Sequence, residues 1–335
     1  MKKMILMATV LLSTLSANAQ DTKTPAWINN VKLSGYGMFQ YRAEDQENAE
    51  HNEFQLRLVR LALDGRASKD WYWKIQMQIN GTPRLVDAFT EWQKYDFFKV
   101  KGGQFKRPFT FENPMHPITQ GFMSYSQPVS KLAGFSDRTG EQASNGRDLG
   151  VQVHGDFLKN KEGRYLLHYQ VGVFNGQGIN VTKDGDERKD IIGGAWVMPV
   201  EGMRIGAFGW TGSRDHVSKN RYAISGEYVK NDWTFRSEYI HSQGYSVTNA
   251  TLGDKADGWY ALCIAPIVKN KFHVKARYDC YRNEKTWESS KTYYEIGADY
   301  SFNKNTQLFV EYALVNNRAA HKNHSLVDVQ LDFRF

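Results

Sequence analysis

The chain ends Val327-Asp328-Val329-Gln330-Leu331-Asp332-Phe333-Arg334-Phe335. Apolar residues hold every second position, and Asp328, Gln330, Asp332 and Arg334 fill the gaps. Successive side chains of a strand point to opposite faces, so this segment has one oily face and one charged face. It runs to a terminal aromatic, where a soluble domain ordinarily frays. In an outer-membrane β-barrel the last strand instead pairs with the first. The segment predicts such a barrel; the competing reading is the last strand of a soluble sandwich.

The other end agrees. Lys2 and Lys3 precede an almost wholly apolar run, Met4 to Leu12, and Ala17-Asn18-Ala19 stands before Gln20. That order predicts a secretory signal peptide over 1–19, followed by a short leader over 20–30 and one barrel domain over 31–335. The apolar run is short for a transmembrane helix. No Cys follows the cleavage site, which argues against a lipid anchor. An exported chain with no further long apolar run can cross a membrane only as a closed barrel.

Composition is compatible with that. Mean hydropathy is −0.59, yet 14% of residues are aromatic, the mixture required when half of each strand faces lipid, half faces water and aromatics mark the interfaces. Cys263 and Cys280 are too few for a disulfide framework and fall out of register on neighbouring strands. The formal charge of +7 drops to +5 without Lys2 and Lys3. Such a mild excess suits small anions or lipopolysaccharide and is too weak for nucleic acid.

Alternation predicts sixteen strands: 31–40, 54–63, 71–80, 86–92, 98–105, 148–154, 164–174, 191–198, 203–210, 221–228, 233–241, 259–265, 271–281, 292–300, 307–315 and 326–335. In the second, the pattern slips by one near Val59-Arg60, as a bulge would make it. Connections alternate short and long, as periplasmic turns and outer loops do in an up-and-down barrel; Gly81-Thr82-Pro83-Arg84 is the one short outer loop. The expected fold is therefore an all-β, transmembrane, up-and-down antiparallel barrel.

One outer loop, Lys106 to Arg147, is far longer than the rest. Length of this kind is functional or disordered, and its Phe and Tyr content argues for order. We expect it to fold into the lumen and narrow it; an outer cap or an adhesive loop is the alternative. Gly102-Gly103-Gln104-Phe105-Lys106-Arg107-Pro108-Phe109, Asn145-Gly146-Arg147-Asp148-Leu149-Gly150-Val151-Gln152-Val153-His154-Gly155 and Val173-Phe174-Asn175-Gly176 resemble the phosphate-selective porin O and P family. The resemblance implies a sixteen-stranded outer-membrane barrel, a homotrimer, passing small anions such as phosphate.

The charges can be set against that expectation. By alternation Lys32, Lys74, Arg204, Arg236, Lys275, Arg277 and Arg334 face the lumen, among acids that include Asp87, Glu91, Glu227, Glu238, Asp279, Glu295 and Glu311. The wall is mixed. In the loop, Lys106, Arg107, Lys131, Arg138 and Arg147 outnumber Glu112, Asp137 and Glu141. A small excess in a narrow, low-dielectric zone outweighs the average, so weak anion preference is expected, with no arginine ladder for phosphate. Wall charges also have a plain role as cross-strand pairs: Arg60 opposite Lys74, and Lys74 opposite Glu91, follow from the assumed turn centres. Arg147-Asp148 would latch the loop's end.

Enzyme motifs are lacking: there is no Gly-x-Ser-x-Gly, His-Glu-x-x-His or phosphate-binding glycine loop. His321 and His324 have a spacing that could serve a metal, but solvation explains them as well. The expectation is a porin in the outer membrane of a Gram-negative bacterium, without cofactor. Its partners would be small anions, outer-membrane lipid and the barrel assembly machinery, which would read the terminal Phe335 as an insertion signal. A plugged structural or adhesive barrel and a barrel enzyme are the rival readings.

Overall fold

The computed structural model describes residues 30–46, 52–134, 145–181, 183, 188–214, 217–244 and 255–335. The expected signal peptide and all but the last residue of the leader lie outside them. The strands are β1 (Lys32–Glu44), β2 (Asn52–Arg66), β3 (Trp71–Gln78), β4 (Arg84–Tyr95), β5 (Phe98–Lys106), β6 (Arg147–Lys159), β7 (Tyr165–Phe174) and β8 (Asp190–Val197). They continue as β9 (Met203–Arg214), β10 (Val217–Lys230), β11 (Trp233–Gly244), β12 (Lys255–Val268), β13 (Phe272–Arg282), β14 (Ser290–Asn303), β15 (Thr306–Asn317) and β16 (Lys322–Arg334). Each pairs antiparallel with its sequence neighbours, and β1 pairs with β16 to close the barrel.

Closure involves the very last residue. Gly35 N donates to Phe335 O at 3.1 Å, and Phe335 N donates to Gly35 O at 3.0 Å. Lipid offers no hydrogen bonds, so these groups must find each other. The rings of Phe333 and Phe335 lie across Gly37 and Gly35, and a Cβ at Gly35 would meet the Phe335 ring at 2.6 Å. Glycine is required there because the aromatic already fills the outer face.

Alternation decides what faces lipid. On β16, Val327, Leu331 and Phe333 are exposed to the outside, whereas Asp328, Gln330 and Asp332 are buried within the barrel. On β13, Val274 points out while Lys275 and Arg277 point in. Trp71, Tyr95, Phe97, Phe98, Trp233, Phe302 and Phe335 crowd the short-turn rim on the outer surface, forming an interfacial girdle.

Several strands extend past their predicted ends on the long-loop side: β10 begins at Val217, β12 at Lys255 and β16 at Lys322. Those extensions rise beyond the hydrocarbon, so they need no apolar residue at every second position. The bulge also sits elsewhere than the pattern suggests. The β1–β2 register steps from Met38↔Leu58 to Phe39↔Leu56, making Arg57 the extra residue. Phe54 and Leu56 face out before it, and Leu61 and Leu63 face out after it. The β2–β3 turn is centred two residues later than expected, pairing Arg60 with Gln78 and Lys74 with Asp64. On its other side Lys74 meets Phe89, because the β3–β4 turn centres earlier than expected and the bulge between Gln76 and Met77 recovers only one residue of that difference. The expected Arg60–Lys74 and Lys74–Glu91 cross-strand pairs therefore do not form. Cys263 faces Ala276 and Cys280 faces Trp259, and both thiols are free.

Gly35→Val should disturb closure by forcing the Phe335 ring aside, at a cost of about 1–3 kcal/mol. The measurement is the temperature at which the folded, fast-migrating band is lost on heating. An unchanged transition would show that the β1–β16 seam tolerates crowding.

Candidate functional site

The long connection between β5 and β6 begins with apolar residues that need cover. Phe109, Phe111, Phe122, Val129 and Leu132 are fully buried. They pack against inward-facing Phe174, Ile192, Phe208, Trp210, Ile240 and Tyr260 of β7–β12, which places the segment inside the barrel. Burying each such side chain stabilises the docked loop by roughly 1.5–3 kcal/mol. A short helix, α1 (Gln127–Leu132), opens with Pro128 in its first turn and rests on β11, β12 and β13.

A loop in this position has backbone groups to satisfy, and the strand backbones are already paired with one another. Inward-facing side chains do the work instead. Glu238 accepts from Phe111 N at 2.7 Å and Glu112 N at 2.8 Å. Glu311 accepts from Met123 N at 2.9 Å and Asp279 from Gln127 N at 2.8 Å. Cations supply the complement. Arg236, Lys275 and Arg277 each donate at 2.9 Å, to the carbonyls of Gln120, Gly121 and Ser124 respectively, and Arg221 donates to Leu132 O at 2.8 Å. Their charge is balanced on the wall by Glu227, Glu311 and Glu295, each at 2.5 Å from Arg236, Lys275 and Arg277 in turn. Within the loop, Glu112 accepts from Ser126 N and Oγ. Burial raises its carboxyl above the usual range, against the opposing pull of Arg277.

The sequence-predicted bases thus divide. Arg236, Lys275 and Arg277 lie beneath the loop and hold it, so they are not open to the lumen water as expected. Arg204 pairs with Glu227 at 2.8 Å and stacks on Phe111 at 4.0 Å. Arg107 lines no passage either: it is fully buried, bonded to Asp148 at 3.0 Å and set over Trp210 at 4.9 Å. The latch at the loop's base is therefore Arg107–Asp148, joining its two ends, rather than Arg147–Asp148. Arg147 reaches across to Asp87 at 2.6 Å. Lys106 donates to Met115 O at 2.5 Å and to the Tyr125 hydroxyl at 2.9 Å. Lys131 is exposed on α1, and Arg138 falls outside the described residues. Lys32 and Arg334 are exposed at the short-turn rim.

The loop does not fill the lumen evenly. Between loop residues 108–117 and the wall of β1–β7 there is a cavity of about 320 Å³. Arg60, Lys74, Lys101, Lys106 and Arg147 line it, with Asp87 as the carboxylate in that lining. Across it, the loop presents Pro108, Pro114, Met115, His116 and Pro117. His116 meets Tyr36 edge-on at 4.6 Å. Although one face of the ring reaches the cavity, its depth in the barrel, followed by the charges of Lys106, Lys74 and Arg60, pulls the imidazole down to about 4. It is neutral at pH 7. A second cavity, also about 320 Å³, lies between α1 and the wall of β13–β16 and β1 and is lined by both signs, Arg42 and Lys291 with Glu44 and Asp328 among them.

Arg60, Lys101 and His116 were missing from the sequence-derived site. Lys101 had a signal, the alternation of Lys99 and Lys101 with Phe98 and Val100. Arg60 was obscured because the bulge at Arg57 reverses the phase. His116 had none, since only the loop's path brings it to the cavity. His324, read with His321 as a metal pair, bonds instead to Glu44 at 3.0 Å. Among the described residues no group of three or more His, Cys, Asp or Glu could hold a metal ion.

A closed sixteen-stranded antiparallel barrel, oily outside, charged inside and narrowed by an inward loop, defines the porin class of outer-membrane channel. Comparison with known proteins agrees. The family model described as Gram-negative porin matches residues 6–320, and the chain belongs to that family. Solved structures share the fold. An anion-selective porin from Comamonas acidovorans superposes with a TM-score of 0.69 at 14% identity, covering 91% of this chain and 99% of that one. OmpF of Salmonella typhi, in complex with daunomycin, gives 0.67 at 12% identity, with 91% and 98% covered. OmpT of Vibrio cholerae gives 0.63 at 11% identity, with 94% and 100% covered. No curated protein matches. The chain is a channel of the Gram-negative outer membrane for passive diffusion of small solutes, and not an enzyme.

Two outcomes test the docking. Glu238→Ala leaves two loop N–H groups without their acceptor and should cost about 1–3 kcal/mol for each, seen as a lower unfolding temperature and noisier open-channel current; if neither changes, Glu238 is no anchor. In a chain carrying Cys263→Ser and Cys280→Ser, Lys74→Cys should react readily with a water-soluble thiol reagent and Arg277→Cys slowly, until residues 109–133 are deleted. Fast labelling at 277 in the intact barrel would show the loop does not cover β13.

Proposed function

We propose that the channel prefers small anions weakly, and that the preference is set between the loop and the β2–β6 wall. The observation that carries this reading is the lining of the cavity there, five cations to one carboxylate. Asp87 holds Arg147 at 2.6 Å and Lys74 at 3.9 Å, and Glu91, outside that lining, holds Lys101 at 3.3 Å, so pairing offsets part of the excess and the preference is weak. In a constriction with low-dielectric walls, a local excess of fixed charge dominates ion passage. Arg60 strengthens the case, because the hydroxyl of Tyr36 and the amide of Gln78 that it bonds are both neutral. Phosphate is among the anions we expect to pass, without a dedicated site. We also infer that residues 1–19 are removed on export, that Phe335 is presented to the assembly machinery, and that the barrel works as a homotrimer. The likeness to the phosphate-selective porin O and P family supports the trimer and the anions alike.

Reversal potential in a potassium chloride gradient across a planar bilayer tests the preference. The native channel should favour chloride. Replacing Arg60, Lys74 and Lys101 with Gln should move the potential toward potassium. The shift should be larger in dilute salt, because the screening length is about 10 Å at 0.1 M and about 3 Å at 1 M. Arg107→Gln should lower stability and leave selectivity alone. No chloride preference in the native channel, or no shift in the triple variant, would overturn the reading.

A further inference from the structure

We propose that the cavity between the loop and the β2–β6 wall selects organic carboxylates with an apolar body over inorganic oxyanions. The inference rests on the anion preference above and names the class of anion. It comes from the contrast between the two walls. One side carries Arg60, Lys74, Lys101 and Arg147, with Asp87 between Arg147 and Lys74. The other is the loop surface of Pro114, Met115 and Pro117, continued on the wall by Phe89.

Proline has no N–H to donate, so an oxyanion gains no backbone hydrogen bond at positions 114 or 117. The loop's nearby acid, Glu112, is fully buried and bonded to Ser126, turned away from the cavity. Against the basic wall the loop therefore sets no carboxylate and one polar side chain, His116, whose Nδ1 is taken by Ile118 N at 3.2 Å and whose Nε2 keeps the proton. A compact hydrated oxyanion would find, beyond that single imidazole, partners on one side only, and stripping its water along Pro114, Met115 and Pro117 would go uncompensated. A carboxylate on an apolar frame matches both sides. Its charged end meets the guanidinium and ammonium groups, and its body lies on Met115 and the prolines. Phe89 sits within reach of both halves, with Lys101 Nζ 5.0 Å from its ring. The space, about 320 Å³, exceeds the roughly 150 Å³ cavity that takes up benzene, so a single-ring acid fits.

The test uses the full chain in planar bilayers, with chloride current recorded while benzoate, benzamide or inorganic phosphate is added at constant ionic strength. Benzoate should reduce the current at about tenfold lower concentration than phosphate, the ratio expected from removing ~50 Å² of apolar surface from water. Benzamide, which lacks the charge, should be as weak as phosphate. Met115→Gln, checked for heat-resistant folding, should bring the benzoate-to-phosphate ratio down to about twofold to threefold. Equal block by phosphate and benzoate, with chloride preference intact, overturns this inference alone. Block by benzamide equal to that by benzoate does the same, as does a Met115→Gln variant that keeps the full ratio. Loss of chloride preference in the salt gradient instead removes the anion reading on which it stands.

Discussion

Hydrocarbon offers no partner for a backbone amide, and everything else in this barrel follows from that. Sixteen strands can satisfy one another only if the first meets the last, so the chain runs its hydrogen bonding through to Phe335 and back to Gly35. Closure then fixes the alternation. One set of side chains must suit lipid, and the other is confined to an interior where charge is tolerated.

The long loop meets the same constraint one level further in. It enters a space whose walls have few backbone groups left to offer, the carbonyls of Asp279 and Lys291 that take Gln127 Nε2 among them. Its amides and carbonyls are taken up by Glu238, Glu311 and Asp279 on one hand, and by Arg221, Arg236, Lys275 and Arg277 on the other. Buried ion pairs of this kind add little net stability compared with apolar packing, but removing one partner is costly. Their contribution is to hold the loop on one path. The aromatic cluster beneath Phe109, Phe111 and Phe122 supplies the attraction, and the charges supply the register.

Docking on β7–β15 divides the lumen. On the covered side, cations and carboxylates neutralise each other under the loop. On the side of β1–β7, cations outnumber carboxylates even though Lys74 pairs with Asp87 at 3.9 Å and Lys101 with Glu91 at 3.3 Å, and the loop borders that cavity with proline, methionine and His116. The field available to a passing solute comes from what docking leaves over, and not from the chain's total charge.

Strand number, inward and outward faces and barrel closure were legible in the sequence, because period-two alternation is a local property and every strand repeats it. Val274 and Lys275, or Leu331 and Asp332, declare their faces without reference to any neighbour. The pairing of charges was not legible. Lys74 lies opposite Asp64 and Phe89 and pairs with Asp87 at 3.9 Å because of where a turn centres and where a bulge falls, and one residue of slip changes each neighbour. Still less could the sequence separate Arg277, which holds the loop, from Lys74, which borders the cavity, since both are inward bases on alternating strands. Only the tertiary structure decided that, because the distinction depends on which stretch of wall the loop covers. That is settled by the summed packing of residues far apart in the chain, such as Phe111 with Trp196 and Phe208.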